Sequence, residues 1–186
     1  MSSAKDGIDL RLCQSDYPLV LDKTTGIRIV PATRNDVALI RAFILELAEY
    51  EKAQPGEVVV TDAMLLDTLF GGRPAAEVII AYSGDEPVGF ALFFHNYSTW
   101  LANRGLYLED LFVRPSARKL GAGYALLQAL ARIAVERKCG RMEWSVLKWN
   151  QLAISFYERI GAREMNEFVG FRLTGDSLLQ LAGTRK

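Results

Sequence analysis

The 186-residue chain contains one histidine and two cysteines, and its 22 lysines and arginines are balanced by 22 aspartates and glutamates, giving zero formal net charge. Each scarcity excludes something. Cys13 and Cys139 form no CxxC pair and stand near no Cys/His cluster, which argues against a zinc mechanism and for reduced thiols. With no metal expected, zero net charge also removes the cation excess that a nucleic-acid or polybasic membrane binder needs. Apolar runs such as Phe90 to Phe94 fall far short of the ~20 residues that span a bilayer. Lys5, Asp6 and Asp9 interrupt what an export signal would need, so a cytoplasmic location is expected, with no membrane or nucleic-acid partner. Half of the residues are hydrophobic, enough for one core in a chain that should bury roughly 70% of its extended-chain surface.

Residues 1–26 are polar and lack a sustained period, and read as an extension of uncertain structure. From 27 to 186 a single domain is expected. Ile27 to Val30 reads as a strand, and Thr33 is a plausible N-cap for a helix whose apolar positions Val37, Ile40, Ile44, Leu47 and Ala48 repeat at helical spacing up to about Tyr50. Pro55-Gly56 breaks the chain, and a second short helix runs from Thr61-Asp62 to Phe70, closed by Gly71-Gly72. Three β-rich segments follow, Glu77 to Tyr82, Val88 to Asn96 and Leu106 to Val113, whose short connections predict an antiparallel meander. Next come a glycine loop, a helix through Leu126, Leu127, Leu130, Ile133 and Ala134, and a strand from Arg141 to Val146, the pattern of a parallel crossover. A helix from Gln151 to Ile160, a strand from Phe168 to Leu173 and a turn of helix at Leu178 to Leu181 complete an α/β fold with a mixed sheet.

The segment Arg118-Lys119-Leu120-Gly121-Ala122-Gly123 lies where a strand has ended and a helix begins. The free N–H groups and dipole of such a helix start favour an anion, and Arg114, Arg118 and Lys119 add positive charge. A tight turn with solvated basic residues is the plainer alternative. A GxxxxGK[ST] phosphate loop is absent, and a GxGxxG dinucleotide loop fails because Leu126 stands where Gly or Ala is needed, although Glu143 has the spacing of a ribose-binding acid.

The form [Gln/Arg]-x-x-Gly-x-[Gly/Ala], preceded by Leu111-Phe112-Val113, resembles the acyl-CoA pyrophosphate loop of the GNAT superfamily of N-acetyltransferases. Ile29 to Thr33, Glu46 to Glu51, Tyr107 to Asp110, Trp149-Asn150 and Phe156 to Ala162 are similar to the matching stretches of its diamine (spermidine/spermine) and thialysine acetyltransferase branch. The resemblance covers about residues 27 to 182. It implies the GNAT fold, a central mixed twisted sheet flanked by helices, with acetyl-CoA as cosubstrate, a small-molecule primary amine as acceptor and a homodimer.

The resemblance also implies roles. Leu111, Phe112 and Val113 would contact the acetyl and pantetheine part, and Arg118, Lys119, Leu120, Gly121, Ala122, Gly123 and Tyr124 the pyrophosphate. Asn150 and Ala153 would reach the pantetheine arm. Tyr157 matches the general acid toward the CoA thiolate; a phenol stays protonated at neutral pH and can donate to a thiolate. Glu109 would bind the amine and help remove its proton, with Tyr50, Glu51 and Trp100 lining the amine site. Simple strand alternation puts Glu109 on one face with Tyr107, Leu111 and Val113, and Asp110 on the other. Ser98, Lys148, Val169 and Phe171 replace residues that would attract a distal ammonium in the polyamine enzymes, which shifts the expectation toward a shorter or less charged amine. A peptide or aminoglycoside acceptor, or an acyl-CoA sensor without turnover, are the rival readings. His95 and Cys139 have no visible catalytic partner, so a Cys/His nucleophile is not expected.

Charge is distributed in blocks. Residues 36–110 hold 12 acids and 4 bases, whereas residues 114–148 hold 8 bases and 2 acids.

Overall fold

A computed structural model describes residues 20–21 and 25–184. The chain divides into two compact units, with the boundary between Ser145 and Val146.

The first unit is built on a six-stranded sheet whose spatial order follows the sequence: β1 (Val20–Leu21), β2 (Ile27–Pro31), β3 (Glu77–Ser83), β4 (Glu86–Ser98), β5 (Asn103–Val113) and β6 (Met142–Trp144). Neighbours from β1 to β5 are antiparallel, and β5 with β6 is parallel. The meander and the crossover strand form as the sequence pattern predicts, in a mixed sheet. The rest of the N-terminal extension lies outside the described residues.

Alternation along the strands sends two sets of apolar side chains to opposite faces. Val78, Ile80, Phe90 and Phe112 meet α1 (Val37–Glu51) and α2 (Asp62–Phe70), which contribute Val37, Ile40, Phe43, Leu47, Leu65 and Leu69. Phe43 stacks on Phe90 with ring centroids 5.5 Å apart. The helical period of α1 places these residues on one stripe, and Lys52 ends the helix in the left-handed region. A 3₁₀ turn at Arg34–Asp36 precedes α1; Thr33 and Asp36 cap it reciprocally, with Asp36 Oδ2 accepting from the Thr33 backbone N–H at 2.7 Å. The opposite face of the sheet carries α3 (Ala122–Glu136), which packs on β2 to β5 through buried Ala125, Leu126, Leu130 and Ile133.

The second unit contains α4 (Gln151–Arg159) and α5 (Gly175–Leu181) and, among the described residues, no strand. The predicted strand from Phe168 to Leu173 therefore does not form. Its composition is β-rich, but a strand is held by a ladder, and this segment pairs with none; Gly170 also interrupts it.

No helix among the described residues is long and apolar enough to cross a membrane. They include no group of three or more His, Cys, Asp or Glu side chains that could hold a metal ion.

One polar cluster ties α3 to the sheet. Arg137 donates to both carboxylate oxygens of Glu77 at 2.5 and 2.6 Å, and its Nη1 lies 3.4 Å from His95 Nε2. Burial, and then the Arg137 charge, hold the His95 pKa below the ordinary imidazole value. As pH falls, the unfolded chain takes up this proton before the folded chain does, so His95 withdraws stability from just above the unfolded value near 6.5 downward. Replacing His95→Gln should therefore flatten the decline of the urea midpoint between pH 7.5 and 5.5; an equal decline in both proteins would show that His95 carries none of it.

Candidate active site

The site is organised by β5. This strand has one residue more than its partner β4 between two paired positions: Leu92 faces Asp110, but Phe93 faces Leu108, so Glu109 is the extra residue of a β-bulge. The bulge breaks the simple alternation expected from the sequence. Tyr107, opposite Phe94, and Phe112, opposite Phe90, lie on the α1 face together with Asp110; Leu106, Leu108, Leu111 and Val113 lie on the α3 face. Tyr107 and Leu111 are thus on opposite faces, and Glu109 does not group with both.

A second break coincides with the first. β6 pairs only with Leu106, Tyr107 and Leu108. From Glu109 to Val113, β5 pairs with β4 on one edge and has no neighbouring strand on the other among the described residues. Edge peptide groups of this kind are open to an extended ligand.

Three carboxylates gather where the bulge re-aims the chain. Asp110 is pushed up to about 6, first by burial and then by the negative charges of Glu109 and Glu51. Burial also raises Glu51, in the last turn of α1. Asp110 is the residue that strand alternation hid: placed on the wrong face, it looks remote from Glu51. The available signal was weak, since nothing in Leu108-Glu109-Asp110 announces a bulge.

Beyond Val113 the chain makes a 3₁₀ turn at Pro115–Ala117 and reaches the glycine loop. Lys119 and Gly121 have φ of 70° and 86°. At Gly121 a Cβ would come within 2.7 Å of Thr25 Cγ2, so glycine answers both the left-handed backbone and the close approach. Gly121 is the N-cap of α3, and no side chain caps that end. Ala122 is buried, whereas Leu120 and Tyr124 are exposed.

The three cations near this loop divide sharply. Arg114 is already occupied: Nε and Nη2 donate to Glu46, Nη1 donates to the Pro87 carbonyl and approaches Glu86, and the guanidinium sits 4.8 Å over the Phe43 ring. Its expected contribution to an anion site is corrected accordingly. Arg118 lies 4.6 Å over the Tyr50 ring, and its Nε approaches the Val113 carbonyl at 3.4 Å. Lys119 is exposed.

In the second unit, Asn150 Oδ1 accepts from the Ala153 N–H at 3.2 Å and so caps α4. Tyr157 lies on α4 beside Phe156, ring centroids 5.6 Å apart, and burial raises its phenol above the ordinary value.

The structure thus gathers Glu51, Glu109 and Asp110, and places Tyr50 beside Arg118. Trp100 is set apart. It is 96% exposed in the turn between β4 and β5, and Asp110 lies about 23 Å further along β5 from the start of that strand at ~3.3 Å per residue.

Residues 44–162 match the family model described as Acetyltransferase (GNAT) family. The chain belongs to this acetyltransferase family. A thialysine N-epsilon-acetyltransferase from Sus scrofa is 33% identical over 169 residues, covering 85% of this chain and 98% of the relative. An L-ornithine N5-acetyltransferase from Arabidopsis thaliana is 34% identical over 196 residues, covering 81% and 86%. Among solved structures, an integron cassette protein from V. cholerae superposes with a TM-score of 0.70 at 30% identity, covering 84% of this chain and 97% of that one. The GNAT fold expected from the sequence is therefore the fold observed, and the protein is an acyl-transferring enzyme.

Proposed function

We propose that this enzyme transfers acetyl from acetyl-CoA to a primary amine of a small molecule, a diamine, polyamine or thialysine-like amino acid, by direct attack in a ternary complex. The observation that carries this reading is the open edge of β5 leading from a carboxylate cluster to an uncapped helix start. An extended pantetheine chain, with its amides, fits peptide groups on a strand edge. The pyrophosphate fits the N–H groups at the start of α3, where glycine permits close approach and Arg118 and Lys119 supply charge. The names of the curated relatives support an amine acceptor.

Acetyl-CoA supplies the acyl group as an activated thioester. Glu51 and Glu109 attract an ammonium ion to the end of β5, and Asp110 accepts a proton from it. A carboxylate held near 6 is ionised at neutral pH yet more basic than an ordinary aspartate, as a general base at this pH should be. The nitrogen lone pair then forms the C–N bond as the C–S bond breaks; by resemblance the sulfur takes the phenolic proton of Tyr157, and the second proton lost from the nitrogen as the amide forms restores the phenol through solvent. Asn150 and Ala153, by resemblance, flank the pantetheine arm. A cytoplasmic homodimer completes the reading. It is supported by the resemblance and, for the dimer, by the exposed apolar side chains Phe168, Val169 and Phe171.

Release of CoA thiol from acetyl-CoA, followed with a panel of amines, tests the reading. Release should depend on a small diamine or amino-acid amine; release with peptides alone would assign a different acceptor, and binding without release would leave a sensor.

Tyr157→Phe should lower kcat by roughly 10²- to 10⁴-fold with little change in CoA affinity. Wild-type turnover in that variant would remove the acid role.

The pH profile assigns the base. kcat/KM should fall on an acid limb near pH 6 as Asp110 becomes protonated. Glu109→Gln should move that limb to lower pH, because the Glu109 charge helps raise Asp110, whereas Asp110→Asn should abolish it and slow the reaction. An unchanged limb in Asp110→Asn would transfer the role to another group.

A further inference from the structure

We propose that Tyr50 is a positioning residue for the coenzyme: its ring holds the Arg118 guanidinium with its outer edge turned to the pyrophosphate, although the resemblance places Tyr50 in the amine site. This inference rests on the acyl-CoA reading of the glycine loop and deepens it.

The two arginines on either side of the 3₁₀ turn show the contrast. Arg114 has donors from all three guanidinium nitrogens committed to Glu46, Glu86 and the Pro87 carbonyl, and works as a structural tie. Arg118 is held at its central carbon and its inner nitrogen instead, with Cζ 4.6 Å from the Tyr50 ring centroid and Nε 3.4 Å from the Val113 carbonyl oxygen. Its Nη1 and Nη2 donate to no acceptor among the described residues. Stacking uses the flat face of a guanidinium and leaves the in-plane N–H fork for a second partner, and that fork matches the paired oxygens of a phosphate.

Tyr50 can act as a fixed platform because it is anchored elsewhere. It lies in the last turn of α1, half-buried against the core cluster that contains Phe43 and Leu47. Arg118 is otherwise the kind of side chain whose rotamer freedom must be frozen on binding, at an entropic cost. Freezing it beforehand on an aromatic ring reduces that cost, which is the general benefit of preorganisation. α1 therefore serves both substrates from one turn: Glu51 faces the carboxylate cluster and Tyr50 faces the coenzyme loop.

The test is calorimetric titration of CoA together with steady-state kinetics on Tyr50→Leu, Tyr50→Met and Tyr50→Phe. A cation–π contact of about 0.5–1 kcal/mol corresponds to roughly a 2- to 5-fold change in affinity. Tyr50→Leu and Tyr50→Met should weaken CoA binding and raise the KM for acetyl-CoA by that factor, with the KM for the amine unchanged. Tyr50→Phe, which keeps the ring, should bind CoA as the wild type does. In an Arg118→Ala background the Leu and Met substitutions should have no further effect on CoA affinity. A rise in amine KM alone, equal loss in Tyr50→Phe, or full additivity with Arg118→Ala would overturn the proposal. Because CoA affinity is read without any amine, a failure of the acetyl-transfer reading shows up separately, as wild-type protein that binds CoA and releases no thiol.

Discussion

The single extra residue in β5 is the constraint on which the candidate active site depends. A strand buried on both faces cannot direct a carboxylate inward without either pairing it or bringing it to an edge. At Glu109 the chain inserts one residue against β4, and at the same point β6 stops pairing. Without the insertion, strict alternation from Leu106 and Leu108 would put Asp110 on their side, the α3 face, away from Glu51. With it, Asp110 turns toward the α1 face and feels Glu51 and Glu109. One local irregularity thus supplies the raised carboxyl, and it lies where the open edge begins.

Much of the architecture was legible because it follows from period and punctuation. The apolar stripe of α1, the meander from β3 to β5 and the crossover through α3 each announce themselves in spacing, and Gly121 marks a place where backbone geometry demands glycine. The misreadings share a different cause: they depend on what a segment meets in space. No residue in Leu108-Glu109-Asp110 is a glycine or proline that would flag a bulge. Phe168 to Leu173 has strand composition, but composition cannot provide a ladder partner. Arg114 carries a charge that looks available to a ligand until Glu46, 68 residues earlier, takes it up.

The opposed charge blocks acquire a more exact meaning once such pairs are removed. Arg114 and Arg137 belong to the basic block, and each is committed to acids of the acidic block, Arg114 to Glu46 and Glu86 and Arg137 to Glu77. Part of the asymmetry is therefore structural: charges far apart in sequence join helices to the sheet. Charge-assisted, bidentate contacts of this kind fix geometry more than they add net stability. They align α1 with the ends of β4 and β5, and α3 with β3 and β4.

What remains after that subtraction is informative about the site. In the basic block, Arg118 and Lys119 stay beside the uncapped start of α3; in the acidic block, Glu51, Glu109 and Asp110 stay beside the bulge. The two sets are separated by the few residues from Asp110 to Arg118, so a strand end and one turn divide an anion-attracting region from a cation-attracting one. A thioester linked to a polyphosphate and an amine carrying a proton need such an arrangement, because each must be drawn in without neutralising the other. Tyr50 and Glu51 carry the same division into adjacent residues of α1, the aromatic face beneath a cation and the carboxylate facing an anionic cluster. Phe43, Leu47 and Phe112 set the register of α1 against β5 in the core, and in the proposed reading this register fixes the spacing between the two substrates. On that proposal a core contact well away from either ligand becomes a determinant of how closely the nucleophile can approach the thioester.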